Sequence, residues 1–129
     1  MTSEQRQALA RRAVACKDWR WMSGQPVIDP HGVRGYVVDT HGPGAWVANR
    51  AGVSWLSAEE LKRCLPDLTD PATLGCLLAL VREHYINVWT YPATDRGWYV
   101  SMQTGPASVH RIERRTEVAA LVCALEAAS

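Results

Sequence analysis

The sequence predicts an α+β fold: an antiparallel sheet with helices packed on it, preceded by a small β-meander. Three observations predict it. Apolar residues recur at three- and four-residue steps near 3–16, 70–85 and 116–127, the period of a helix with one buried stripe. Between Gln25 and Leu56, short runs rich in Val, Ile, Tyr and Trp are broken by Gly, Pro, Asn and Asp. A second set of alternating runs fills Ile86 to Ile112, between the last two helical segments.

Each element has a local cause. Thr2 with Gln5 three residues later forms a capping box, and Leu9, Ala13 and Cys16 follow at helical spacing, so the first helix should run to about Cys16. Lys17 to Met22 then folds back over the core; if that stretch is extended, Trp19 and Trp21 share a face. Pro26 to Ile28 leads into a turn at Asp29–Gly32. A strand from Val33 to Asp39, a turn at His41–Gly44, a strand from Ala45 to Asn49, a turn at Arg50–Gly52 and a strand from Val53 to Leu56 complete the meander. The tail W-L-S-A-E-E-L, with Ser57 capping a short helix that carries Leu61, gives this segment the look of a small SH3-like barrel.

Asp70 as N-cap and Pro71 at the first helical position start the best-marked helix, whose stripe is Leu74, Leu77, Leu78, Val81 and Tyr85. Strands at Ile86–Tyr91, Trp98–Met102 and Ser108–Ile112 follow, and Thr116 caps a last helix with Val118, Leu121, Val122 and Leu125 on one face. The second half thus reads α-β-β-β-α, with its two helices on one face of the sheet. A chain of 129 residues suits one domain over 1–129, made of an N-terminal helix and aromatic segment (1–24), the meander (25–64) and the α-β-β-β-α part (65–129).

Composition narrows the function classes. There are six Trp and four Tyr but no Phe, and these amphipathic rings suit half-buried positions and contact surfaces better than a dry core. With 14 Lys+Arg against 13 Asp+Glu, the net charge of +1 sets up no global field toward nucleic acid or an anionic membrane. The amino end has no apolar signal region, and no apolar run approaches the roughly 20 residues needed to cross a bilayer. A cytoplasmic protein without membrane contact is the expectation. Cys16, Cys64, Cys76 and Cys123 are widely spaced with no C-x-x-C pair, and read as reduced thiols, three of them on apolar helix faces.

Catalytic apparatus is not visible. His31, His41, His84 and His110 show no metal-ligand spacing; His31 and His41 could meet across a hairpin mouth beside Asp29 and Asp39, but two solvated turns are the weightier reading. No phosphate loop, dinucleotide fingerprint or nucleophile elbow occurs. No catalytic residue, metal or cofactor is therefore expected. The aromatic set Trp46, Trp55, Trp89, Tyr91, Trp98 and Tyr99 stands out instead; Trp89 and Tyr91 leave one strand on the same side, where packing between the two halves outweighs an open contact surface.

The stretches CKDWRWM, LPDLTDPATLGCLLALVRE, GWYV and TEVAALVCALEAA together resemble a recurring kind of small protein from tailed phages and prophages, some of them grouped as a phage α-β-α sandwich domain. The resemblance covers both termini and the 65–85 segment and leaves out 25–56, which looks like a variable part. It implies a phage or prophage setting and a fold, and brings no catalytic residues.

These readings converge on an expected function: a phage-encoded, non-enzymatic accessory protein that binds and inhibits a bacterial host protein, such as a component of CRISPR or another defence system. Loops carried by a rigid sheet are favoured recognition sites, which places partner contacts within 29–55 and makes Arg34, Tyr36, Trp46 and Arg50 the anchors. A homodimer through one of the apolar helices is compatible with this pattern. The alternative is a nucleic-acid-binding module, in which the SH3-like meander joins a basic face made of Arg11, Arg12, Arg111, Arg114 and Arg115.

Overall fold

The computed structural model describes residues 1–128, and it is α+β, with four helices and two antiparallel sheets. Its backbone groups into two compact units. The first takes Met1–Ala15 and Trp19–Thr73; the second takes Cys16–Asp18 and the chain from Leu74 onward, so the boundary falls inside a helix.

In the first unit, helix α1 (Ser3–Val14) starts on a complete capping box: Gln5 N donates to Thr2 Oγ1 at 3.1 Å, and Thr2 N donates to Gln5 Oε1 at 2.8 Å. Leu9, Ala10 and Ala13 are its buried face. The helix stops two residues short of the expected Cys16, since Ala15 is the C-cap. Strands β1 (Pro26–Ile28), β2 (Arg34–His41), β3 (Gly44–Asn49) and β4 (Gly52–Leu56) form the meander. Helix α2 (Ala58–Leu61) follows under a second capping box, between Ser57 and Glu60. A short strand β5 (Leu65–Pro66), which has no periodic signature, then returns to pair with β1. The sheet order is β4-β3-β2-β1-β5, antiparallel throughout, so residues 65–66 belong to the meander sheet.

Two details set the geometry of this sheet. The β2–β3 turn is tighter than His41–Gly44: pairing continues to His41 opposite Gly44, leaving two loop residues, with Gly42 at φ 58° where a side chain would be strained. A bulge at Val38 then shifts the register, so that Val37 faces Val47 while Asp39 faces Trp46. Inside, Val27, Val37, Ala45, Val47, Leu61 and Cys64 form the core, with Trp21 and Leu56 packed against it. Trp19 meets Trp21 edge to face at 5.3 Å. Of the segment expected to fold back, Trp21 lies against this core, and it does so without a strand.

A buried polar cluster ends this unit. Gln25 and Thr73 are fully buried; Gln25 Nε2 donates to Pro26 O and, at 3.5 Å, to Thr73 Oγ1, whose hydroxyl donates to Asp67 O. It fixes the first turn of helix α3 (Pro71–Arg82) to the β1 end of the sheet. Asp70 caps that helix through a 3.0 Å bond from Ala72 N.

In the second unit, Leu77, Leu80 and Val81 of α3 are fully buried. The helix ends at Arg82, ahead of the expected 85, and Ile86 lies outside the following strand, largely exposed. Strands β6 (Asn87–Pro92), β7 (Trp98–Gly105) and β8 (Ser108–Arg114) make a three-stranded sheet with β7 in the middle. Helix α4 (Glu117–Ala128) begins where Ala119 N donates to Thr116 Oγ1, and it packs across β7 and β8 with Val118, Leu121, Val122 and Leu125 inward.

Leu77→Ala should destabilise the chain by about 2–5 kcal/mol, because it opens a cavity at a fully buried position. Urea melts of the two proteins check this, and a loss below half of the lower figure would mean that the stripe of α3 does not face a packed core.

Candidate functional site: two aromatic sheet faces

Each sheet buries one side and leaves the other open, and the open sides hold most of the exposed large apolar side chains. On the meander, the outward row across β2, β3 and β4 is Tyr36, Ala48 and Val53; the next is Asp39, Trp46 and Trp55; His41 and Gly44 end the face. Tyr36, Trp46, Val53 and Trp55 are 54%, 45%, 61% and 40% exposed, with the bulged Val38 beside them. Trp46 and Trp55 meet edge to face at 5.5 Å, and His41 lies 6.4 Å from Trp55. The indole of Trp55 is laid across Gly44, where an added Cβ would collide with the ring. Gly44 is therefore the seat of the Trp55 ring, against which Trp46 sets its edge-to-face contact.

The four anchors expected from the sequence separate here. Tyr36 and Trp46 share this face. Arg34 follows the same side of β2 but leans away, its Nε 3.6 Å from Asp67. Arg50 is exposed in the β3–β4 turn, whose backbone is held by Ala51 N donating to Asn49 Oδ1. Trp55, expected from the sequence on a strand neighbouring Trp46, stands opposite it, and register brings in Val53 and Val38.

On the second sheet, α4 covers the side carrying Val88, Val100, Met102 and Ile112. The open side has three rows: Asn87, Gln103 and Val109; Trp89, Ser101 and Arg111; Tyr91, Tyr99 and Glu113. Trp89 and Tyr91 are exposed. Tyr91 and Tyr99 stack at 5.2 Å with a 41° tilt, and the Arg111 guanidinium lies 4.5 Å above the Tyr99 ring. Tyr91 Oη and Ser101 Oγ are 3.1 Å apart, and Asn87 Nδ2 donates to Gln103 Oε1 at 2.8 Å. Trp98 belongs to the opposite side, in the row of Pro92 and Arg114.

This face also splits its tyrosines electrically. The hydrogen bond with Ser101, then those with Arg111, hold the Tyr91 phenol below its ordinary value, while the Glu113 carboxylate pushes Tyr99 up. Arg111 is in turn raised, first by its bond to Tyr91, and keeps its charge.

Of the arginines grouped as an alternative basic face, Arg11 and Arg12 end α1 in the first unit, whereas Arg111, Arg114 and Arg115 belong to the second. Arg114 and Arg115 line an open groove of about 610 Å³ with Arg96, Asp95 and Glu113.

Of the two turn histidines, His31 gives its backbone N, with that of Val33, to Asp29 Oδ1, and His41 ends β2 with its ring 6.4 Å from Trp55. Among the described residues no three His, Cys, Asp or Glu side chains converge as a metal site would require. Burial pushes the thiols of Cys64 and Cys76 up, with Asp29 and Glu60 adding to the effect at Cys64, so both are poor nucleophiles near neutral pH. Among the described residues no helix is long and apolar enough to cross a membrane. No protein-family profile matches the chain, and neither the curated proteins nor the solved structures hold a significant match to it.

Two outcomes test this geometry. As pH rises, Tyr91 should ionise before Tyr99, and Ser101→Ala should move the Tyr91 step upward by removing its main cause; tyrosinate absorbance in the parent, Ser101→Ala and Tyr91→Phe proteins resolves the two steps. Separately, Gly44→Ala should expel the Trp55 ring at a cost of about 1–3 kcal/mol and abolish the near-ultraviolet circular dichroism of the Trp46–Trp55 pair.

Proposed function

We propose that the chain is a non-enzymatic binding protein that docks a partner protein on the outward face of β2, β3 and β4. The observation that carries this is the edge-to-face Trp46–Trp55 pair, whose Trp55 ring rests on Gly44, flanked by exposed Tyr36 and Val53. Aromatic rings at the centre of a patch poor in charge match the buried middle of protein interfaces. Arg34, on the same side of β2, is already drawn to Asp67, which leaves it less free to meet a phosphate and favours protein over nucleic acid. Rings fixed by a rigid strand lose little entropy on binding, which adds to their worth as anchors.

The resemblance of both termini and of 65–85 to small tailed-phage proteins supplies the setting: a phage or prophage product in the bacterial host cytoplasm, acting on a host protein such as a defence component, CRISPR included. The strand order β4-β3-β2-β1-β5, with a short capped helix between β4 and β5, supports reading the meander as an SH3-like binding scaffold. An inhibitor of this kind needs no chemistry of its own. It works by occupying a surface that its target uses.

The test is a pull-down from host lysate, with the captured protein then titrated against Tyr36→Ala, Trp46→Ala, Trp55→Ala and Arg50→Ala variants of verified fold. Trp46→Ala or Trp55→Ala should weaken binding by more than about 1 kcal/mol. Undiminished binding by both, together with loss in Arg11→Ala or Arg12→Ala, would move the surface to the basic end of α1.

A further inference from the structure

We propose that the open face of β6, β7 and β8 is a stacking platform for single-stranded nucleic acid. It is a second site, in the second unit, and rests on no part of the meander reading.

The first argument is the arrangement of the rings. Trp89 and Tyr91 leave β6 on the same side, two residues and hence roughly 7 Å apart, and Tyr99 stands beside Tyr91 at 5.2 Å. All three belong to a face that α4 does not cover. Rings fixed on a sheet in this way present flat π-surfaces at intervals that unstacked bases can occupy. A duplex hides those base faces in its own stack.

The second is charge. From Asn87 to Arg115 the chain carries Arg96, Arg111, Arg114 and Arg115 against Asp95 and Glu113, a local excess of two positive charges in a molecule whose total is +1. Arg111 lies on the face itself, over Tyr99 and with Glu113 in the next row, where its guanidinium can stack on a base or meet a phosphate. Arg96, Arg114 and Arg115 line the groove at the end of the β6–β7 hairpin together with Asp95 and Glu113, so that three cations face two carboxylates there. The third is polar chemistry beside the rings. Asn87 is exposed, and its amide, which spends one donor on Gln103 Oε1, keeps an acceptor and a donor of the kind that hydrogen-bonds base edges. On the meander face Arg34 is drawn to Asp67 and the row of the Trp pair carries Asp39, which is why a different class of partner is assigned here.

The experiment is fluorescence anisotropy of the full chain with a labelled thymidine homopolymer of about 12 nucleotides, the matching uridine homopolymer, and a thymidine–adenosine duplex of equal length, each at two salt concentrations. Both single strands should bind, the duplex more weakly, and Trp89 fluorescence should be quenched on binding. Trp89→Ala and Tyr99→Ala should each weaken binding about ten-fold or more. Arg111→Ala should lower the salt slope by about 0.7. Tyr99→Phe, which keeps the ring, should bind as the parent does, and so should Trp46→Ala, which separates this site from the meander. Circular dichroism of each variant confirms the fold. No binding at low salt, equal affinity for the duplex, or indifference to Trp89→Ala, Tyr99→Ala and Arg111→Ala would overturn the proposal. Capture of a protein that depends on Trp89 while the oligonucleotides fail to bind would make the face a protein interface instead.

Discussion

A pleated strand sends successive side chains to opposite sides, so a single layer of helix or core can bury only half of what a sheet carries. The rest of this structure depends on that constraint. The buried halves are filled by small aliphatic residues: Val27, Val37, Ala45 and Val47 beneath the meander, Val88, Val100 and Met102 beneath α4. With no Phe in the chain, the large rings are all Trp or Tyr, and most of the strand-borne ones fall on the outward side. Their polar atoms can stay in water there while the rings remain available.

Local interactions decide where helices begin, and they are repeated with little variation. Thr2 with Gln5 and Ser57 with Glu60 are reciprocal boxes, while Asp70 and Thr116 each satisfy one backbone donor. Such caps are worth about 1 kcal/mol each and act over three residues. Their short range is why they survive any change in the surroundings. The cluster of Gln25, Thr73 and Asp67 is of the other kind: it joins residues 48 apart in sequence and exists only once the sheet has formed. Its satisfied members hold the start of α3 against β1, and the unpartnered Oε1 of Gln25 is the cost left in it.

The two open faces differ in chemistry although both are aromatic. On the meander, an edge-to-face Trp pair with one ring seated on a glycine makes an apolar surface. On β6–β8, tyrosines carry a guanidinium, a carboxylate and a serine hydroxyl among them, and their ionisation is pulled in opposite directions. A surface of the first kind gains most from excluding water, and one of the second kind from meeting charge and stacking planes.

The sequence by itself determined the α+β class, the four-strand meander, the short helix after Ser57 and the starts of all four helices, because capping residues, glycine turns and apolar periods act between neighbours in the chain. It also singled out Tyr36 and Trp46, and marked the aromatic residues of the second sheet as a group. Only the tertiary structure decided which of them stand together. Strand β5 is two residues long and pairs with a strand some 40 residues earlier, too short for any period to announce it. The bulge at Val38 changes which β2 residues share a face with Trp46, and a one-residue shift of this kind exchanges inside for outside. Arg34 was drawn to Asp67, Trp55 was laid on Gly44, and Arg111 was set over Tyr99 by long-range pairing. Register is a property of two strands at once, so no reading of one strand alone contains it.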